Sequence, residues 1–373
     1  METYRLSSKL ADKDNEYLIQ TVNDTNLGTV TTSIYINGVL TETINNLHPS
    51  DIGANEVLSL VKMTHEEKKN EIENLLQSFR KVIASGDSKM AYYLGTAFFY
   101  KGFYREAKAL FTSATTLDPS HHQGYNYLGM AELARGNIDR AIVAGRKAVE
   151  QKPGFADYRN NLGEALLADD EVDEAINEFK KAIEINLYYC DAYLNLGLAW
   201  ILKAVKNPDR ESWPGHLARI TDYLYKASLI YANFKGQAFD EGIKALNQYE
   251  LSRALNIFKR IRETKKENYR REFSGFYMKF ALLTDWVSEE VLNERIAYLK
   301  GELEKNPGYV DLHADLARCY LEQSRLAWQK GVEEYRKTNE INPALSKIKL
   351  ALEEAENLYE DINLALIKIA EKG

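Results

Sequence analysis

The chain of 373 residues is 45% hydrophobic and 28% charged, a balance that is typical of folded proteins and argues against disorder over most of its length. Its formal net charge of -7 argues against a protein that binds mainly nucleic-acid backbone, because such proteins usually carry a basic face or a basic total. The two cysteines, Cys190 and Cys319, are far apart and lie in no CxxC motif, so we expect neither a disulfide framework nor a zinc site.

Residues 1–52 have the composition of a small β-rich module. They are rich in Val, Ile, Thr and Tyr, and Asn37-Gly38 is a pair that favours the tight turn of a β-hairpin. The predicted strands are residues 4–10, 16–23, 29–36 and 39–44. Because an antiparallel sheet of this size is only marginally stable alone, we expect it to pack on another element, to pair with another chain, or both.

A linking helix is predicted over residues 53–87. Apolar residues recur along most of this segment at spacings of three and four, which is the period of one helical face. Its very polar middle suggests a break near Met63-Thr64, and His65 is expected on a solvated helix surface. A lone histidine among charged residues lacks the several converging donors of a metal site, so no metal ligand is predicted here.

From residue 88 onward the sequence repeats with a period of 34 residues. The positions that keep this period are Leu94-Gly95, Leu128-Gly129, Leu162-Gly163 and Leu196-Gly197, then Ala107, Ala141 and Ala175, and then Pro119 and Pro153. Small residues let two helices cross closely, and aromatic residues such as Phe111 and Phe179 fill the space around them. Since one helical hairpin cannot bury its apolar face alone, the period predicts a stack of hairpins.

This pattern resembles the tetratricopeptide repeat family, whose helix-turn-helix unit has the same length and the same order of Trp/Tyr, Leu-Gly, Ala, Phe, Ala and Pro. The resemblance is clear over residues 88–230 and weakens towards the C-terminus, and the N-terminal module is not part of it. The implied fold class is mostly α. It is an α-solenoid of about seven hairpin units over residues 88–345, with an insertion near 205–216 and a capping helix over 346–373, preceded by the β-rich module.

In the tetratricopeptide repeat family, the first helix of each unit lines a concave groove in which a protein or peptide partner lies. The matching positions in this chain are Lys89, Tyr92, Thr96, Tyr100, Gln123, Asn126, Met130, Asp157, Asn160, Asn161, Glu164, Asp191, Leu194, Asn195 and Leu198. Asn161 and Asn195 occupy the same position in successive units, where an amide either bonds the backbone of a ligand or satisfies groups of neighbouring helices. Leu194 and Leu198 would be exposed unless something, such as the loop around Trp213, covers them.

A basic stretch lies within the weaker repeats, in residues 258–273. Lys259, Arg262, Lys266 and Arg270 recur at spacings of three and four, and they share one helical face if the helix continues through them. Such a face suits an acidic partner, an anionic membrane surface or nucleic acid, although interleaved glutamates dilute it. A solvated helix surface is the alternative interpretation.

Motifs of catalysis or cofactor binding are absent from the sequence. It contains no Gly-rich phosphate loop, no GxSxG motif and no paired Cys-His arrangement. The first 18 residues have no apolar core of signal-peptide length, and no uncharged segment approaches the roughly 20 residues that a membrane span needs, so we expect a cytoplasmic protein without a membrane span. No cofactor, metal or nucleic acid is expected.

The sequence therefore predicts a non-catalytic adaptor or scaffold that binds a protein or peptide in the concave groove. The N-terminal strands are expected to mediate self-association or docking, because a small sheet with an open edge offers unpaired backbone groups. Two alternatives stay open. One is a structural protein that polymerises through the solenoid and the sheet, and the other is the regulatory or substrate-recruiting subunit of an enzyme complex.

Overall fold

The computed structural model describes residues 3–12, 15–24, 27–48, 52–208, 213–282, 289–305, 307, 310–343 and 345–372. It begins with the strands β1 (Arg5–Asp12), β2 (Asn15–Asp24), β3 (Thr29–Ile36) and β4 (Val39–Leu47). They form one antiparallel sheet in the order β1-β2-β3-β4. The turn at Asn37-Gly38 has φ angles of 51° and 81°, in the left-handed region that this residue pair tolerates well. The predicted four-stranded module is therefore confirmed.

Helix α1 (Ala54–Ser85) connects the sheet to the repeats as one continuous helix. Its first half packs on the sheet, where Val57 meets Val30, and its second half joins the core of the first repeat through Leu75. The expected break near Met63-Thr64 is wrong. Thr64 is buried, so this polar part of the helix lies against the sheet and is held in place by it.

His65 shows why the polar middle of α1 stays helical. Its ring is only 2% exposed, with Nε2 at 2.8 Å from Ser8 Oγ and Nδ1 at 3.1 Å from Thr21 Oγ1. Both ring nitrogens lie within hydrogen-bond distance of strand hydroxyls, so this polar side chain is buried with its hydrogen-bonding groups satisfied. The expectation of a solvated His65 is therefore wrong, because the pattern on one helix does not reveal the hydroxyls of a strand that faces it.

Four helical hairpins follow α1. They are α2 (Ser88–Tyr100) with α3 (Tyr104–Leu117), α4 (His122–Ala134) with α5 (Ile138–Gln151), α6 (Ala156–Ala168) with α7 (Val172–Ile185), and α8 (Cys190–Lys206) with α9 (Trp213–Ile230). A Cβ atom built on Gly95 would lie 2.7 Å from the ring of Phe111, and one built on Gly163 would lie 2.6 Å from the ring of Phe179. No side chain fits there, so the glycines allow the close crossing that the sequence predicts.

A fifth hairpin pairs α10 (Gln237–Asn247) with the start of α11 (Leu251–Leu282). Phe258 packs here against Gly242. A Cβ atom built on Gly242 would lie 2.7 Å from the Phe258 ring, as at Gly95 and Gly163. With 32 residues, α11 is about 48 Å long, far longer than its 11-residue partner. The described chain ends with α12 (Glu289–Lys305), α13 (Val310–Ile341) and α14 (Ser346–Lys372), which pack in sequence order.

The insertion predicted near residues 205–216 separates α8 from α9. Helix α9 begins at Trp213, while residues 209–212 lie outside the described part of the chain. The Trp213 ring is buried and packs edge-on against Tyr249, with centroids 5.1 Å apart. Trp213 therefore belongs to the helical core, and the expectation that it lies in a loop is wrong.

Buried polar contacts join the sheet, α1 and the first hairpin. Lys101 Nζ lies 2.9 Å from Glu42 Oε2 in β4 and 2.5 Å from Glu71 Oε1 in α1. The Tyr17 hydroxyl of β2 donates a hydrogen bond of 2.8 Å to Glu106 of α3. These three elements also share one apolar core, so the β-rich module is docked on the solenoid.

Candidate partner-binding groove

The concave side of the first four hairpins holds the second half of α11. Beyond Phe258 this helix leaves its own hairpin and runs along the first helices of the preceding units. It packs against α8 and α2, and between them it reaches Glu164 of α6. The helix thus passes from the fourth unit back towards the first, and it covers the groove that the sequence predicts.

Lys265 makes the contact with the fourth unit. Its Nζ lies 2.5 Å from Oδ2 and 2.6 Å from Oδ1 of Asp191, in the first turn of α8. The same ammonium group lies 5.2 Å from the ring centroid of Tyr231. Burial lowers the pKa of Lys265, but the Asp191 carboxylate outweighs this effect and the net pKa is raised. The lysine is therefore charged when it lies in the groove.

Glu164 makes the contact with the third unit. Its carboxylate forms an ion pair with Lys266 and accepts a hydrogen bond of 2.9 Å from the Asn195 side-chain amide. Arg262 Nη1 lies 3.4 Å from the oxygen of the same amide. Burial raises the pKa of Glu164, but the positive charges of Lys266 and Arg262 outweigh burial and hold it at about 2. The groove therefore presents a fixed negative charge here.

The far end of the described side chains of α11 meets the first unit and the sheet. The ring of Tyr269 lies 6.0 Å from that of Tyr100 in α2. Arg270 Nη2 donates a hydrogen bond of 3.2 Å to the carbonyl oxygen of Thr41 in β4. Gly102 is at the turn after α2 with φ at 81°, and a Cβ atom on it would collide with the Arg270 guanidinium. The glycine therefore lets α11 approach this turn.

The asparagines of the groove bond one another between successive units. Asn161 donates a hydrogen bond of 3.0 Å to Asn126, and Asn195 donates one of 2.9 Å to Asn160. In the structure, the amides of Asn161 and Asn195 therefore bond side chains of the neighbouring helix. Their fixed orientation keeps the floor of the groove ordered.

The predicted groove residues fall into three classes by exposure. Those that are buried are Thr96, Tyr100, Asn126, Asn160, Leu194, Asn195 and Leu198. Those that are half-buried are Tyr92, Gln123, Met130, Asn161, Glu164 and Asp191, and those that are exposed are Lys89 and Asp157. Leu194 and Leu198 share a core with Leu255 and Phe258 of α11 and with Trp213, and this core buries them.

Three of the four residues predicted to form a basic face contact the hairpins or the sheet, and the fourth, Lys259, is exposed. The residues of α11 that contact the hairpins are Arg262, Lys265, Lys266 and Tyr269, and Arg270 contacts Thr41 of β4 beyond the end of the groove. Their spacing of i, i+3, i+4, i+7 and i+8 is that of one helical face. Lys265 and Tyr269 are not among the predicted residues. The sequence signal for Lys265 is that it is adjacent to Lys266. A helical face that includes both lysines can meet two separate carboxylates, which are Asp191 and Glu164 in the structure.

Metal-binding and reactive groups are sparse in the described residues. Among them there is no group of three or more His, Cys, Asp and Glu side chains that could hold a metal ion. Both cysteines are buried, and burial raises the pKa of the Cys319 thiol to about 11. No helix within the described ranges is long and apolar enough to cross a membrane.

Comparison with protein families identifies the repeats. A family model described as tetratricopeptide repeat matches residues 92–156 and 146–186, which span α2 to α7. The 34-residue period and the glycine-to-phenylalanine crossings of the hairpins agree with this match. Residues 92–186 therefore match the tetratricopeptide repeat.

Similar solved structures include MamA, at 24% identity, with 40% of this chain and 82% of that chain covered and a TM-score of 0.35. The first tetratricopeptide repeat domain of Spaghetti (RPAP3), bound to the HSP90 peptide SRMEEVD, has 20% identity, covers 32% of this chain and 97% of its own, and has a TM-score of 0.30. YrrB, a tetratricopeptide repeat protein with an unusual peptide-binding site, has 19% identity, 48% and 91% coverage and a TM-score of 0.33. No curated protein matches the sequence.

Proposed function

We propose that the chain is a non-catalytic adaptor or scaffold that binds a protein or peptide segment along the concave groove of its first four hairpins. One observation carries this proposal: the groove already accommodates a helix, through side chains of α2, α6 and α8. A surface that fits one helix with ion pairs and ring contacts has the width and the polar groups to fit another.

The rigidity of the groove supports the same proposal. The paired asparagines leave little freedom at its floor, so a ligand does not have to order these side chains when it binds. The carboxylates of Glu164 and Asp191 make the groove negative, which favours partners that carry positive charge.

The test is a crosslinked pull-down from native lysate with three forms of the full chain. They are the wild type, a groove variant with Glu164→Gln and Asp191→Asn, and a control variant with Asp173→Asn and Glu174→Gln. The control makes the same chemical changes in α7, where both carboxylates are exposed. We expect a partner that the control retains and the groove variant loses, with unchanged helical spectra. Identical sets of bound proteins in all three would refute binding in the groove.

For the N-terminal sheet we propose self-association or docking through its outer strands. The supporting observation is that β4 is an outer strand and that Val39 and Leu40 at its start are exposed apolar residues. In sedimentation velocity runs over a range of concentrations, the wild type is expected to form dimers or larger species. Changing Val39 and Leu40 to lysine should leave monomers, and equal sedimentation of the two forms would rule out this strand.

The two alternatives have their own readouts. A polymerising structural protein would show continued growth in light scattering as its concentration rises, instead of a closed oligomer. A regulatory or recruiting subunit of an enzyme complex would copurify with a catalytic chain from native cells.

A further inference from the structure

We propose that residues 262–270 of α11 form a displaceable latch, and that the external partner is a helix rich in lysine and arginine that takes the place of this latch. The inference rests on the proposed function, because it concerns the same groove. It specifies the chemistry of the ligand and the step that exposes the site.

The two halves of α11 are held in different ways. In the first half, Ala254, Leu255 and Phe258 are buried in the core that α11 shares with α8 and α10. In residues 259–270, all of which the structure describes, every residue is half-buried or exposed. The first half is therefore anchored by apolar packing, whereas the latch is held mainly by charge and hydrogen bonds.

Contacts of this kind are easily exchanged for equivalent ones. The Lys266 side chain is 46% exposed although it pairs with Glu164, so solvent and salt reach its ammonium group, whereas the Glu164 and Lys265 side chains are 10% and 11% exposed. A competing helix with the same charges replaces each contact without leaving a buried group unpaired. Release of the latch also leaves the core around Leu194 and Leu198 intact, because the residues of α11 that are buried in this core all precede the latch.

The charges of the groove indicate the chemistry of the competitor. Glu164 and Asp191 both bind lysines of the latch, and Asp157 is an exposed carboxylate on the same helix as Glu164. An acidic segment would be repelled by these carboxylates and would leave them unpaired. The latch itself displays the pattern that fits, with cations at i, i+3, i+4 and i+8 and an aromatic ring at i+7.

The test measures binding of a fluorescein-labelled peptide with the sequence of residues 259–272 to the full chain. The wild type is compared with an opened variant, Lys265→Glu with Lys266→Glu, whose latch is repelled by Glu164 and Asp191. The control variant is Lys259→Glu with Arg260→Glu. It makes the same change in charge at two exposed positions of the same helix, before the latch.

We expect the opened variant to bind the peptide with a Kd lower by about tenfold or more than the wild type, since the competing latch is gone. The control variant should bind like the wild type. Binding should weaken as salt rises, and a peptide with glutamate in place of Lys265 and Lys266 should not bind. Adding Glu164→Gln and Asp191→Asn to the opened variant should abolish the gain. Equal affinities of the wild type and the opened variant would overturn the proposal.

Hydrogen exchange gives an independent readout of the latch in the same proteins. Amides of residues 262–270 should exchange faster in the opened variant, and those of residues 251–258 should keep their protection. Unchanged exchange of residues 262–270 would mean that the ion pairs do not hold the latch, and would overturn it. If the latch fails these tests while the groove variant still loses its partner in the pull-down, the adaptor function stands. If the pull-down also shows no change, both proposals are wrong.

Discussion

Replacement of Lys101 by methionine should destabilise the junction between the sheet and the repeats. The lysine is 5% exposed and lies between Glu42 of β4 and Glu71 of α1. Methionine keeps the length of the side chain but removes the charge, which leaves Glu42 without its ammonium partner. Glu71 retains Lys68 at 2.5 Å. Breaking a buried ion pair from one side costs about 3 to 5 kcal/mol, and we expect the lower end because Glu71 stays paired.

The assay is urea unfolding followed by circular dichroism, with the free energy of unfolding taken from the linear dependence on urea. Lys9→Met is the matched control, since Lys9 pairs with Glu16 on the surface, where the side chains are 64% and 54% exposed. That change should cost no more than about 1 kcal/mol. A loss for Lys101→Met that is no larger than the loss for Lys9→Met would refute the reasoning.

A further variant separates the cost of unpaired charge from the loss of packing. Combining Lys101→Met with Glu42→Gln removes the carboxylate that loses its partner, while Glu71 keeps its ion pair with Lys68. Because no uncompensated carboxylate then remains, this double variant should be more stable than Lys101→Met alone. A double variant that is less stable would mean that Glu42 stabilises the junction in another way.

Two further outcomes follow from the packing and the buried histidine. Gly163→Ala should cost about 1 to 3 kcal/mol in thermal unfolding, because its Cβ atom would lie 2.6 Å from the Phe179 ring. Gly154→Ala, with no atom within 4 Å of the new Cβ atom, should cost less, and an equal loss would contradict the packing argument. Burial lowers the pKa of His65 below 6.5, so its contribution to stability is complete above that pH and is lost as the pH falls through the lowered pKa. His65→Gln should flatten this acid-side decline in urea unfolding, and an unchanged decline would mean that another group causes it.

The strands and hairpins follow from local patterns in the sequence, and these patterns were sufficient. Asn37-Gly38 marks a turn by its own backbone preference, and the pair Leu162-Gly163 marks a close crossing by its size. Both signals involve residues that are near in sequence or repeat with a fixed period. For such features, one sequence contains most of the physical information.

The covered groove does not follow from such patterns. Lys266 meets Glu164 from 102 positions away, and Lys265 meets Asp191 from 74 positions away. An ion pair carries no period and no fixed spacing, so many carboxylates in the sequence are equally suitable partners for either lysine. The prediction of a solvated His65 was wrong for the same reason, because its hydrogen-bond partners, Ser8 and Thr21, belong to two different strands.

Helix α11 and the groove that it covers belong to the same chain, and this determines how the protein concentration affects the fraction of grooves that are covered. A tethered segment meets its site at an effective concentration that the connecting chain sets, often in the millimolar range. Diluting the protein, or making more of it, therefore leaves the fraction of covered grooves unchanged. For the proposed latch, a competing molecule or a change of ionic conditions would alter that fraction instead.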